Sequence, residues 1–343
     1  MREDSIDLRS DTVTKPTEEM REAMRDAKVG DDVHREDPTV VELENLAAEK
    51  LGKESGLFVS SGTQGNITSI LTHANRGEEL IIGEKSHIYN YEVGGYSSLA
   101  GLSPKVLSDK RGYMKISDIR NSISKGSVHH PDTTLICMEN THNKAGGIPL
   151  DLGYIKKVEN LTEEIDAKFH LDGARIFNAA IGLDEDVKRL VKPFDSIQFC
   201  LSKGLSAPIG SLIVGSDEFI ERARKNRKKL GGGMRQVGVI AAPGIIALEK
   251  MVDRLDEDHK NANKLAKGFK DLGFEIDPNK FKTNIVMLDT SSIEHSAEEF
   301  KSLLSEEGVL TLALSKEKIR FVTHRGISED DIDNTLNIIE SLL

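Results

Sequence analysis

Lys203 lies in FCLSKGLSAPIGS, residues 199 to 211, a run that is otherwise small, apolar or hydroxylic. An ammonium in such company loses solvation of its charged form. Its pKa is expected to fall and its amine to become nucleophilic enough to form a Schiff base. Thirty-one residues earlier, Asp172 stands in HLDGAR at the end of the apolar run FHLDGA. A carboxylate at the C-terminal end of a parallel strand is where ligands bind. It could face a ring nitrogen that must stay protonated, cap the following ARIFNAAIG, or pair with Arg175. A metal is not expected, because His170 and Asp172 lie two apart on a strand with no third ligand nearby in sequence. Further upstream, SSGTQGN (60–66) follows LFVS and precedes ITSILTHANRG. A strand, a Gly-rich turn and a helix in that order suit a phosphate, which backbone N–H groups and the helix dipole would hold. The turn lacks the G-K-[ST] of a P-loop and the G-x-G-x-x-G of a dinucleotide site, so alone it could be structural. Phosphate cradle, strand-end Asp and strand-end Lys are together the parts needed to hold pyridoxal 5'-phosphate.

These residues need elements that bring them to one rim. Short apolar runs alternate with longer amphipathic ones from about residue 30, the pattern of a mostly parallel sheet covered by helices. LFVS, ELIIG, TLICMEN, FHLDGA, SIQFCLS and GSLIVG read as strands whose nearly continuous apolar character implies burial on both faces. Lys203 then falls just past a strand, on the same rim as Asp172 if a crossover helix intervenes. VGVIAAPGIIALEKMVDRLDEDHKNANKLAKGFKDLG reads as one long helix, bent near Pro243 and ended at Gly273. After it, TNIVMLD, AEEFKSLLSEEG, KIRFVTH and EDDIDNTLNIIESLL suggest a smaller α/β unit. The expected division is a large domain over 1–246, with an N-terminal arm over 1–16, and a small C-terminal domain over 247–343. No internal repeat or long linker interrupts them, so the two are expected to pack as one rigid body.

Composition narrows the partners. With 343 residues the chain exceeds one ordinary domain. A net charge of −11 argues against nucleic acid or an anionic membrane surface and leaves a small ligand. The basic run RARKNRKK (222–229) has no interleaved aromatics and reads as a solvated helix face. Two cysteines, Cys137 and Cys200, in apolar runs without C-x-x-C spacing suggest neither disulfide framework nor zinc knuckle. No apolar run is long enough to span a bilayer, and MREDSIDLRSD is too acidic for a signal or transit sequence. A soluble, cytoplasmic protein is expected.

The ordered segments IDLRSDTVTKPT, GDDV with EDPT, SSGTQGN, SHIYNYE, ENTHN, HLDGARIFNAA, FCLSKGL, GGGMRQ and IRFVTH run nearly end to end, and with them the chain resembles the L-threonine aldolases. The resemblance implies a pyridoxal-phosphate enzyme of fold type I, with a mostly parallel seven-stranded sheet and a smaller α/β domain. It implies cleavage of L-threonine and L-allo-threonine to glycine and acetaldehyde, with low specificity among β-hydroxy-α-amino acids and a place in threonine catabolism and glycine formation. It also implies a homotetramer, a dimer of dimers with shared active sites.

On this resemblance Lys203 carries the Schiff base, Asp172 pairs with the pyridinium nitrogen and His87 stacks on the ring. Gly62, Thr63 and Ser202 hold the phosphate, with Arg235 reaching it from a neighbouring subunit; Arg175 also borders the cofactor. Ser10, Arg175 and Arg320 fix the substrate carboxylate, while Tyr91 and His129 meet its side chain. His129 aligns with a family histidine at that position, but beside His130 it reads equally as part of a surface loop. Tyr91, Glu92 or a water could serve as the base instead. Glu139, Asn140 and His142 of ENTHN are expected to orient cofactor or loop. His34 and Arg35 stand where the family has tyrosine and glycine, which leaves the choice between L-threonine and L-allo-threonine open. A β-eliminating lyase of the same fold, or a non-catalytic phosphate-binding sensor, would carry much of the same cofactor site.

Overall fold

All six apolar runs form strands of one sheet in the computed structural model, which describes residues 5–343; residues 1–4 of the expected arm lie outside the described residues. In chain order the strands are β1 (Ile6–Asp7), β2 (Ser55–Val59), β3 (Glu79–Gly83), β4 (Ser103–Leu107), β5 (Thr133–Glu139), β6 (Lys168–Asp172), β7 (Ser196–Cys200) and β8 (Ser211–Gly215). They continue with β9 (Ile285–Asp289), β10 (Val309–Leu310), β11 (Leu312–Ser315) and β12 (Lys318–Val322). The central sheet has seven strands in the order β2-β8-β7-β6-β5-β3-β4. β7, β6, β5, β3 and β4 run parallel, and β8 is antiparallel to both β7 and β2. β2 therefore points the same way as β7, and six strands end on one rim. β3, β7 and β8 are buried along their whole length, which accounts for their unbroken apolar character.

The edge strand β4 was not foreseen. It is half-exposed and carries Pro104, which an edge strand tolerates because one side of its backbone needs no partner. The long helical segment is also not one bent helix. Pro243 stays inside the helix Gly238–Ile246, a wide π turn follows at Ala247–Met251, and the break precedes the helix Leu255–Asp271. Val239, whose carbonyl loses its intrahelical partner to the proline ring, is exposed, so water can satisfy it. The helix then ends before Gly273, at φ +93, as expected.

The basic run lies on the helix Asp217–Lys229, yet not as a wholly solvated face. Arg227 is buried and donates to Asp32 Oδ2 and to the Phe58 carbonyl, each at 2.6 Å, and Arg224 reaches Glu44 at 2.9 Å. Two of the basic side chains are thus inward clamps on the GDDV segment and its neighbours.

Two large apolar clusters fill the molecule. One packs around the seven-stranded sheet and extends to Leu255. The other surrounds the antiparallel sheet β11-β12-β9 and begins at Ala262 of the same helix, with Leu8 of the N-terminal segment inserted into it. That segment adds β1, which pairs in parallel with β10 as a separate two-stranded sheet, and the Leu8 carbonyl accepts from the Val322 amide of β12.

Candidate active site

The C-terminal rim collects the residues singled out by type. Asp172 is the last residue of β6, Glu139 the last of β5, His87 follows β3 by four residues, Lys203 follows β7 by three and Gly62 follows β2 by three. Strand direction alone therefore gathers side chains that are far apart in sequence.

At the rim's centre is a hydrogen-bonded cluster. Asp172 is 2 % exposed; its Oδ2 accepts from Asn66 Nδ2 at 2.9 Å and its Oδ1 from the Ala174 amide at 3.2 Å. His87, at the start of the helix His87–Tyr91 capped by Ser86, lies 2.9 Å through Nδ1 from Glu92 Oε1, and its amide donates to Glu139 Oε2 at 2.7 Å. Burial opposes charge on the His87 imidazole, but the Glu92 hydrogen bond and the fields of Asp172 and Glu92 outweigh it and raise the pKa. His87, Glu92 and Asp172 each bring a ligand atom within 4.8 Å of the others. That spacing could admit a metal, and it equally describes acids and imidazole organised around one amide. Tyr91 lies beside His87, ring centroids 5.5 Å apart, with the Lys144 ammonium 4.9 Å over its outer face.

The phosphate-like cradle is the start of the helix Gly62–His73. Ser61 caps it by accepting from the Gln64 amide at 3.2 Å, while the Gly62 and Thr63 amides lie too early for an intrahelical carbonyl. The helix presses so closely on β7 that a Cβ on Gly65 would meet Gln198 Cγ at 2.5 Å, and one on Gly62 would meet Cys200 Sγ at 3.1 Å. Ser202 and Lys203 are partly exposed in the turn after β7, and the Lys203 carbonyl accepts from Thr14 Oγ1 at 2.9 Å.

Two guanidiniums flank the cluster in different states. Arg175 is buried and forks onto Asp11, with Nε and Nη2 at 2.7 and 2.6 Å from its two oxygens; Asn284 adds a third bond at 3.2 Å. Burial opposes ionisation of Asp11, but Arg175, with help from Lys203, holds the carboxyl far below the usual range. Arg320, on β12, donates to Asn143 Oδ1 at 2.7 Å and to the Arg9 carbonyl at 3.0 Å, and its buried Nε has no partner among the described residues. Burial and the nearby Arg175 lower its pKa to about 10.

The remaining expected residues differ in placement. Ser10 caps the short turn Asp11–Val13, accepting from the Thr12 amide at 3.2 Å. His129 is exposed on the 124–131 loop, and among the described residues no hydrogen bond, ion pair or ring contact joins its imidazole to the cluster. Arg235 is exposed and pairs with Asp31 at 2.9 Å. His34 and Arg35 are exposed as well, and Arg35, at φ 61, pairs with Glu221. Of the ENTHN residues, His142 bonds Asp109 at 2.9 Å, both buried, and Asn140 pins the Leu150 amide at 3.1 Å. Sequence reasoning missed Asp11, Asn66, Asn143 and Asn284. Asp11, Asn66 and Asn143 stood inside quoted motifs and Asn284 inside the strand segment TNIVMLD, but the bonds that make them matter join residues far apart in sequence.

The matching family model is that of the β-eliminating lyases, over residues 7–292. The chain is 46 % identical over 344 residues to a probable low-specificity L-threonine aldolase 2 of Arabidopsis thaliana, covering 98 % of this chain and 97 % of that one. It is 40 % identical to the low-specificity L-threonine aldolase of Escherichia coli K12, with 95 % and 96 % covered. In fold it is similar to the threonine aldolase of Leishmania major, with TM-score 0.83 at 16 % identity and 98 % and 99 % covered. The chain is a lyase of the α/β class, built on a mostly parallel seven-stranded sheet. The chain belongs to the β-eliminating lyase family and, within it, to the low-specificity L-threonine aldolases.

Proposed function

We propose that the protein uses pyridoxal 5'-phosphate to cleave L-threonine and L-allo-threonine to glycine and acetaldehyde, accepting other β-hydroxy-α-amino acids. The observation that carries this reading is the convergence on one rim of Asp172, His87 and Lys203, flanked by Arg175 and Arg320. The names of the relatives support it. The residues fit the cofactor: Asp172 is buried yet keeps acceptor capacity for a ring N–H. The glycines at the helix start bring free amides close to β7, where a phosphate fits.

When bound, pyridoxal phosphate supplies an electron sink for a bond breaking at the substrate's α-carbon. In this reading Asp172 keeps the ring-nitrogen proton in place, and His87, held by Glu92, covers the ring face. Lys203 would supply the amine that holds the cofactor. The Gly62 and Thr63 amides and the Ser202 hydroxyl hold the phosphate. Arg320, whose Nε has no partner among the described residues, takes the substrate carboxylate together with Ser10 and the remaining edge of Arg175. A carboxylate fixed there would set the torsion at the substrate's α-carbon and so decide which bond is poised to break. His129 and Tyr91 contact the side chain, and the β-hydroxyl proton passes to an imidazole, His87 or His129.

The reading extends to the assembly. Exposed Tyr91, Val93 and Leu99 beside the site support a subunit interface, with Arg235 supplied across it in a homotetramer. Division at 246/247 is supported by the two apolar clusters, whose changeover falls slightly later, between Leu255 and Ala262. Two buried free cysteines suit a cytoplasmic setting, and no helix among the described residues is long and apolar enough to cross a membrane.

The test is a coupled acetaldehyde assay with both threonine diastereomers, run beside borohydride trapping. Aldehyde release together with a covalently labelled Lys203 is expected. A colourless protein without a trapped lysine overturns the scheme. The family model's own description favours β-elimination as the second reading, which predicts keto-acid and ammonia from a β-substituted amino acid and no acetaldehyde from threonine.

A further inference from the structure

Asn66 lies in the second turn of the helix behind the phosphate cradle and is 1 % exposed. Its amide nitrogen serves two carboxylates, Glu92 Oε1 at 2.8 Å and Asp172 Oδ2 at 2.9 Å. Its amide oxygen faces His170 Nε2 at 3.0 Å. Behind it, His170 Nδ1 lies 2.7 Å from Ser196 Oγ, which lies 2.6 Å from His73 Nε2.

Only one arrangement of hydrogens satisfies this chain. Turning the amide over would set its oxygen against two carboxylates. With the oxygen toward His170, the imidazole must carry its proton on Nε2, and Ser196 must donate to Nδ1. His73 then donates its Nε2 proton to Ser196. Burial keeps both imidazoles neutral, as the arrangement requires. The row of donors therefore points one way, from His73 at the C-terminal end of the same helix toward the site, and fixes the side on which Asn66 presents its two N–H groups.

We propose that Asn66 is a positioning residue that sets Asp172 and the Glu92–His87 pair in register with each other, held in orientation by His170, Ser196 and His73. Glu92 Oε1 receives both His87 and Asn66, while Glu92 Oε2 is buried without a partner among the described residues, which offer that carboxylate no other side-chain anchor. One amide thus ties the group proposed to face the ring nitrogen to the imidazole proposed to cover the ring. Without it, two buried carboxylates would face each other with no donor between them.

The inference rests on the pyridoxal-phosphate reading and is tested by titrating the cofactor into apoprotein. The readouts are the dissociation constant and the visible absorption band, which reports ring protonation and stacking. Asn66→Ala should bind about tenfold or more weakly, the scale of a lost hydrogen bond to a charged group, and its band should shift at unchanged far-UV circular dichroism. His170→Phe, which leaves Asn66 but removes its orienting donor, should move the band in the same direction by less. It decides the matter alone if Asn66→Ala does not fold. An unshifted band in folded variants, with or without weaker binding, overturns the assignment. Failure of the wild-type protein to bind pyridoxal phosphate instead overturns the reading beneath it.

Discussion

Asp11 is wholly buried and gives both carboxylate oxygens to Arg175, so the guanidinium nearest the cluster is already half-engaged before any substrate arrives. Removing one member of a buried pair leaves the other charge unpaired, at a cost of about 3–5 kcal/mol. Asp11→Ala should lower the urea midpoint accordingly and raise KM for threonine more than it lowers kcat. Because the Asp11 carboxyl is held below its unfolded value of about 3.9, its contribution is present above about pH 4 and lost as pH falls through the folded value. Asp11→Ala should therefore flatten the acid limb of the stability curve. His87 has the opposite sign: with a raised pKa, its pairing with Glu92 stabilises fully below about pH 6.5 and fades as pH rises through the folded value. Glu92→Gln removes the first cause of the rise, so His87 should titrate at lower pH. An NMR titration of the apoprotein that shows no downward move would contradict the assigned hydrogen bond.

The elements carrying these residues differ in how openly the sequence announces them. β3, β7 and β8 were legible because burial on both faces leaves nothing to interrupt an apolar run. β4 was hidden because an edge strand is half-wet and can keep Pro104, so its sequence resembles a loop. Lys203 and Asp172 were readable as strand-end residues, since position along a strand is local information. The commitment of Arg175 to Asp11 was not, because it joins residues 164 apart. For the same reason Arg227 reads in the sequence as part of a solvated basic face, although it pairs with Asp32, 195 residues away. At this scale the helix Gly62–His73 is the sensitive part. A Cβ on Gly65 would meet Gln198 Cγ, which is held between helix and strand and cannot swing away as a side-chain tip could. Gly65→Ala should push the helix start off β7 and weaken pyridoxal-phosphate binding, although alanine favours helix by about 1 kcal/mol. Unchanged or tighter binding would show that the cradle tolerates the shift.

Across the molecule, the N-terminal segment joins the two apolar clusters. Leu8 is buried in the smaller one, its carbonyl accepts from the Val322 amide at 2.8 Å, and the Arg9 carbonyl holds Arg320. Three residues on from Leu8, Asp11 holds Arg175 beside the larger sheet, and Thr14 bonds the Lys203 carbonyl. One short segment of chain thus touches both guanidiniums and the lysine turn, so its seating and the site's geometry are a single event. Leu8→Ala should cost about 2–5 kcal/mol if taken alone as a buried large-to-small change. If the segment seats as a unit, loosening Leu8 already costs much of what Asp11 contributes, and Leu8→Ala with Asp11→Ala should destabilise by clearly less than the two single changes added together. Urea unfolding of the four proteins in the cycle measures this directly. Additivity within about 0.5 kcal/mol, the behaviour of independent positions, would mean that the two anchors act separately and that the segment does not couple the small sheet to the site.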